Sequence, residues 1–379
     1  MVPDSRREDV HGGNAAQREM RLRSEEGKLM AILFCDSFSA YRTANIPLRW
    51  KGGAYGQAPS ITSAFLPPGA QAGAQVLLQN HGGVLTDNYG PQSRWIIGAR
   101  IYISPDFSHA GAIFQVNNGM QLTRDGSGTY ILNNVGTVIA TGPIIPETAW
   151  NHVEFDVVNA TTAVGSVKVY LNGNPTPFMS VTNIVTTPGP ALPSQVFCGS
   201  VGGGGLLASI YYADFYLLNG VNQVAGPINF NAPLAPQGFG APKMAFAVPG
   251  GAGRVSAWTA NGAATIWQSI NQIPQDGDTT YASDATPGDA FMCTIGALPA
   301  MQSLLAVQLS TAAREDDAGP RSYQSGFGNG VSEGYSGVDQ YLPGTYTYIE
   351  DEFAINPITG LAWTPSDLVG LQIGAKLTN

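Results

Sequence analysis

The sequence predicts an all-β protein organised as two β-sandwiches in tandem. Three observations carry that expectation. The 379 residues include 47 glycines and 26 prolines, which break helices and build turns. Apolar residues recur with period two in short runs bounded by Gly-, Pro- and Asn-containing turns, as half-buried strands require. Only residues 364–369 read as a good helical turn, with Thr364 as N-cap and Pro365 at the first helical position. Hydrophobic residues make up 44% of the chain, enough for a sizeable core, while charged residues reach only 12%, against roughly 25% in ordinary soluble domains. No run of about 18 uncharged apolar residues occurs, so no membrane span is expected. The net charge of −9 and the scattered Lys and Arg argue against nucleic acid as a partner.

Residues 1–29 hold 12 of the chain's 45 charged side chains, and the remaining 350 residues are about 9% charged. This segment has no apolar stretch of the kind a secretory signal needs. It reads either as an arm that docks on a partner or as an extension upstream of a start at Met30. The second reading is preferred, because residues 25–27 can be encoded by a purine-rich run resembling a bacterial ribosome-binding site.

The first unit is expected over residues 30–230. Residues 31–37 form its opening strand. Arg94–Ile103 is the clearest strand, with Trp95, Ile97, Ala99, Ile101 and Ile103 on one face and Arg94, Gly98, Arg100 and Tyr102 on the other. Residues 129–132 follow a turn at Asp125–Gly128. In residues 150–157, Val153, Phe155 and Val157 point inward, while His152, Glu154 and Asp156 are expected to face solvent. Residues 166–171 repeat the alternation and end in Asn172-Gly173, a hairpin signal because both residues tolerate positive φ. Lys168 is placed to pair across that hairpin with Glu154 or Asp156. Ser209–Leu218 closes the unit. Residues 231–245, within a Pro-, Gly- and Ala-rich stretch, read as a linker. The second unit, residues 246–379, has strands expected over 253–259, 302–311, 341–353 and 371–377.

The first unit resembles the laminin-G-like, concanavalin A-like jelly roll. The residues that carry the resemblance are Phe34-Cys35-Asp36-Ser37-Phe38, Trp150-Asn151-His152-Val153, the hairpin ending Leu171-Asn172-Gly173, and the run from Ile210 to Leu217. It implies that the opening and closing strands lie side by side. The second unit resembles the C-terminal part of bacteriophage virion proteins. That likeness rests on residues 276–283, 313–319 and 356–364, the last placing Trp363 after a Pro-x-Thr-Gly turn.

Catalytic signals are weak by comparison. Glu154-Phe155-Asp156 begins the Glu-x-Asp-x-Glu strand of β-glucanases, but Val158 stands where the third carboxylate belongs, so that enzyme is rejected. Gly330-Val331-Ser332-Glu333-Gly334 matches a nucleophile pattern without the strand–turn–helix context, and all four histidines precede it. His152 reads as a strand residue packing beside Trp150, and His81 as a loop residue. The glycine run 202–205 has no helix after it to make a phosphate cradle. Calcium is held open through the weak candidates Asp276, Asp278, Asp316 and Asp317, with Asp36 and Asp214 marking the paired terminal strands, although turn capping explains these residues more simply. No other cofactor is expected. Tyr89, Tyr102 and Trp258 are the aromatic candidates for glycan contact. Cys35, Cys198 and Cys293 read as buried thiols, with a Cys35–Cys198 bridge left open.

These readings lead to the expectation of a non-enzymatic virion structural protein of a tailed bacteriophage, assembled in the host cytoplasm. It is expected to be a homo-oligomeric tail or fibre component that packs on other virion proteins and contacts host-surface glycan. A head decoration or cement protein is the near alternative. A polysaccharide-degrading enzyme and a secreted lectin are the other readings.

Overall fold

The computed structural model describes residues 32–39, 41–50, 59–80, 83–104, 111–117, 119–145, 149–199, 209–219, 244–301, 303–304, 306–317 and 319–379. The charged segment 1–29, the start at Met30, His81, the glycine run 202–205 and the linker up to residue 243 lie outside the described residues.

Alternation in the first unit produces fourteen strands: β1 (Ile32–Asp36), β2 (Ser60–Thr62), β3 (Val76–Asn80), β4 (Gly83–Leu85), β5 (Arg94–Ile103), β6 (Gly111–Val116), β7 (Met120–Arg124), β8 (Thr129–Asn134), β9 (Thr137–Ile144), β10 (Asn151–Val158), β11 (Gly165–Leu171), β12 (Met179–Ile184), β13 (Val196–Gly199) and β14 (Ser209–Leu218). They form two antiparallel sheets. One runs β12-β11-β10-β5-β14-β3-β2, with β1 also on β14; the other runs β4-β13-β6-β7-β8-β9. The opening and closing strands are neighbours, with Cys35 opposite Tyr216 and Asp36 opposite Phe215.

The inward faces behave as the period-two pattern predicts. Trp95, Ile97, Ala99, Val153, Phe155 and Val157 are fully buried and share one core with Phe114, Leu122 and Leu132 of the facing sheet. Each such large apolar side chain contributes roughly 1.5–3 kcal/mol on leaving water. The Asn172-Gly173 turn takes φ of 52° and 74°, as expected.

In residues 249–377 a six-stranded sheet is built from Pro249–Ser256, Ala290–Ile295, Gln372–Leu377, Ser322–Gly328 and Glu333–Tyr335, with Gln340–Tyr341 beside Ser322–Gly328. The paired strands Val307–Ala313 and Thr347–Phe353 pack on it, closing an apolar cluster of Phe327, Phe353, Trp363 and Leu371. The turn at Pro365–Leu368 is a 3-10 helix capped as expected: the Thr364 N–H donates to Asp367 Oδ2 at 2.7 Å. It is not the only helical piece, since α1 (Ile46–Arg49) and α2 (Ile266–Ser269) are single α-helical turns. The bridge left open between Cys35 and Cys198 does not form. All three thiols are free, and burial pushes Cys35 up to about 12 and Cys293 up to about 11.

Arg49 on α1 ties the two halves together. Its Nε donates to Asp36 Oδ2 at 2.7 Å and its Nη2 to the Cys35 carbonyl at 2.7 Å, while Nη1 reaches Ser310 and Glu350. Tyr41 Oη and Trp50 Nε1 also donate to Asp36 Oδ2, and the Phe38 N–H donates to Oδ1.

Candidate functional site

The side chains with chemical capacity gather on the outer face of the eight-stranded sheet. Register places them in rows. Tyr102 of β5 lies opposite Tyr211 of β14. Arg100 lies opposite His152 of β10 and Ala213 of β14, and Gly98 lies between Glu154 and Tyr216. A bulge between Ala213 and Tyr216, with Asp214 at φ 52°, brings the Asp214 carboxylate to Arg100 as an ion pair.

Gly98 makes the central contact. A Cβ there would lie 2.0 Å from Tyr216 Cζ, so only glycine lets the tyrosine ring cross β5. Having crossed, the Tyr216 hydroxyl donates to Glu154 Oε2 at 2.8 Å and meets His152 Nε2 at 3.0 Å, with the two rings stacked 5.9 Å apart. Gly98→Ala is therefore expected to displace Tyr216 and to lower stability by roughly 1–3 kcal/mol, as overpacking does. Denaturant midpoints and the Tyr216 ring resonances would check this; an unchanged Tyr216 environment would refute it.

An ionised carboxylate only accepts hydrogen bonds. With Glu154 ionised, the single Tyr216 proton points to it, and the Tyr216 oxygen then accepts from His152 Nε2–H. The neutral imidazole is thereby left with its lone pair on Nδ1, which is buried and has no hydrogen-bond partner among the described residues. Burial first, and Arg100 second, push His152 down to about 4. Burial, with Glu154 beside it, pushes the Tyr216 hydroxyl well above its ordinary range. Next along the face, Asp156 takes Arg94 in a two-pronged ion pair, both contacts at 2.7 Å.

An aromatic platform adjoins the cluster. The Trp150 and Tyr211 rings each lie 5.8 Å from the Tyr102 ring, and Phe65 stacks on Tyr102 at 5.2 Å. Phe65 is 53% exposed and holds φ 54°, a backbone state that a bulky residue seldom adopts. On the other side, Met244 packs on Ile96, Tyr216 and Leu218. Its N–H donates to Asp214 Oδ1 at 2.9 Å, and Gln71 exchanges two hydrogen bonds with the backbone of Phe246.

Several expectations change here. Glu154 and Asp156 are not solvated, since they are 2% and 4% exposed. His152 is buried within a hydrogen-bonded cluster; it is not a surface strand residue. Asp156 takes Arg94, which reaches it from β5, so the ion pair expected with Lys168 is replaced by a better-aligned one. Of the glycan candidates, Tyr102 joins the platform. Tyr89 packs against the first core, and Trp258 lines a cavity in the other half. The calcium candidates are not brought together. Asp276 binds Thr280 in its own turn, Asp278 pairs with Arg314 and Tyr346, and Asp317 pairs with Arg321. Among the described residues no three His, Cys, Asp or Glu side chains gather as a metal site. Ser332 lies in the turn between Ser322–Gly328 and Glu333–Tyr335, where Glu333 pairs with Arg254.

No family model and no curated protein matches the sequence. Among solved structures, the chain is similar to an endo-β-1,4-glucuronan lyase from the fungus Trichoderma reesei. The identity is 14% and the TM-score 0.36, over 50% of this chain and 95% of that one. It is also similar to an alginate lyase from Aplysia kurodai, at 12% identity and TM-score 0.32, over 38% of this chain and 83% of that one. A Trypanosoma rangeli sialidase matches at 16% identity and TM-score 0.29, over 38% of this chain and 25% of that one. These likenesses concern fold and assign no residue a role. The expectation of a non-enzymatic tail or fibre component finds no support in them: the similar structures are polysaccharide lyases and sialidases.

Proposed function

We propose that the chain is a carbohydrate-active enzyme that cleaves acidic polysaccharide by β-elimination on the outer face of the eight-stranded sheet. The observation that supports this reading is the Tyr216–His152–Glu154 cluster, set beside Arg100 and in line with an aromatic platform. Elimination from a uronate needs three groups. A cation must offset the carboxylate charge that grows as the neighbouring C–H proton leaves, a base must take that proton, and a donor must protonate the departing glycosidic oxygen. Arg100 supplies the cation, exchanging its Asp214 partner for the substrate carboxylate. His152 Nδ1, buried at rest, supplies the lone pair once the covering residues have moved, and Tyr216, neutral and buried at rest, supplies the proton. A substrate carboxylate at Arg100 also offsets the charge that depresses His152, raising its basicity as substrate binds. The C–H and C–O bonds break, a carbon–carbon double bond forms, and the leaving sugar carries away a proton.

Hydrolysis by a carboxylate pair fits less well. Asp156 is bound on both oxygens by Arg94, and Glu154 is engaged by Tyr216, so neither is placed as a proton donor. Trp150 and the exposed Phe65, which caps Tyr102 and Tyr211, suit stacking of the adjacent sugar. Met244 lies on this face, so entry of a polymer requires residues 244–246 to move aside.

The test is to incubate purified full-length protein with polymers of mannuronate, guluronate and glucuronate, following the ultraviolet absorbance of the unsaturated product. Tyr216→Phe and His152→Ala are expected to lower kcat by about 10²–10⁴-fold, and Trp150→Ala to raise KM with kcat little changed. New reducing ends without unsaturation, or no cleavage of any polyuronate, would overturn the reading.

A further inference from the structure

A cavity lies far from this face in the sequence, within residues 252–293. It has a volume of about 270 Å³ and is lined by Ser256, Trp258, Thr265, Trp267, Met292 and Cys293, with small residues between them. Ligand pockets begin at roughly 300 Å³, so this one has room for about a single ring. Among the described residues no charged side chain lines it, in contrast to the arginine-bearing sheet face, and an ionised ligand would find no counter-charge there.

Part of its wall is held by contacts within the protein. Trp258 Nε1–H donates to the Asp289 carbonyl at 3.1 Å, and its ring meets Phe291 edge-on at 4.8 Å. Trp267 sits on α2, whose neighbouring residue Ile266 is buried against Phe291 and Cys293. Ser256 and Thr265 are exposed positions at the rim. Thr265 Oγ1 is 2.9 Å from Gln268 Oε1, which as a carbonyl oxygen takes its proton and leaves the hydroxyl lone pairs for another donor. Indole surfaces accept the C–H face of a saturated ring, and hydroxyls at the rim satisfy its substituents.

We propose that this cavity binds one uncharged pyranose unit. Such a site anchors a neutral sugar independently of the chemistry on the sheet face, so either proposal can fail alone. Ligand-observed NMR on the full-length protein, with the methyl glycosides of glucose, galactose, mannose and xylose as probes, tests it. Glucuronate serves as the charged control and phenol as the aromatic one. Saturable binding of a neutral pyranose is expected, with glucuronate excluded. Loss of one aromatic contact in Trp267→Ala should weaken binding by about tenfold. Ala264 lines the cavity and is exposed, so Ala264→Phe fills the space without removing a core group. It carries the test should Trp267→Ala unfold this half. Absence of binding by every neutral pyranose, binding untouched by Ala264→Phe, or binding of phenol alone would overturn the proposal.

Discussion

Replacing Arg49 by Met is expected to lower stability by about 3–5 kcal/mol, the usual result of removing one partner of a buried ion pair. The reason lies in what stays behind. The Arg49 and Asp36 side chains are 3% and 2% exposed. Asp36 keeps its hydrogen bonds from Tyr41, Trp50 and Phe38, but it loses its only charged neighbour among these donors. Glu350 and Ser310, which reach Arg49 from the other half of the chain, lose the same partner. The substitution therefore acts at once on the first core and on its junction with the strand Thr347–Phe353. Denaturant unfolding of Arg49→Met and of Arg49→Met/Asp36→Asn would check it. Neutralising Asp36 should recover part of the loss, because the orphaned charge is then gone. Arg254→Met is the contrasting case: Arg254 is 47% exposed in its pair with Glu333, and such pairs contribute about 0–1 kcal/mol. A loss at Arg49 no larger than at Arg254 would disprove the argument.

The second large effect is one of acid. His152 titrates at about 4 in the folded protein, against an ordinary value near 6.5. Between these values the unfolded chain binds a proton that the folded chain refuses. Stability therefore falls as pH drops through this window and levels off below about 4, for a total on the order of 3 kcal/mol. The groups around the ring explain the direction. Tyr216 stacks on it, Arg100 repels a second positive charge, and Glu154 is already engaged by Tyr216. Unfolding free energies of the wild type and of His152→Gln, compared between pH 7 and 4.5, isolate the term from the carboxylates that titrate in both proteins. The wild type should lose about 2–3 kcal/mol more than the variant. Parallel curves would show that His152 is not held neutral by its surroundings.

Local pattern carried much of the fold. Arg94–Ile103 and Ser209–Leu218 have the bounds that alternation assigns, the Asn172-Gly173 turn adopts the conformation its residues favour, and Thr364 caps its turn. Strands such as β9 and β12 left little trace, because most of their residues are exposed or half-buried. The site was less legible. Arg100, Gly98 and Tyr102 were assigned the correct face of β5, and His152 and Glu154 the correct face of β10. What pattern could not supply was the register that sets Gly98 under Tyr216, or the bulge that turns Asp214 toward Arg100. Polar residues on an outer face read as solvated because burial by other parts of the chain leaves no mark in period two. The Tyr216–His152–Glu154 cluster is invisible to single-strand motifs for a related reason: its members are assembled across β10 and β14, with Gly98 of β5 between them.

The position of β14 has a consequence for the order in which the protein is made. This strand pairs with β5 on one side and with β1 and β3 on the other, yet it is the last of its unit to be synthesised. The β10–β11–β12 meander can form from neighbouring segments as soon as it emerges. β1 must wait for a partner encoded some 180 residues later. Pairings so distant in sequence are slow to form, and until residue 218 leaves the ribosome β1 and β3 present unpaired edges. The nascent chain is thus most exposed to aggregation just before the unit is complete.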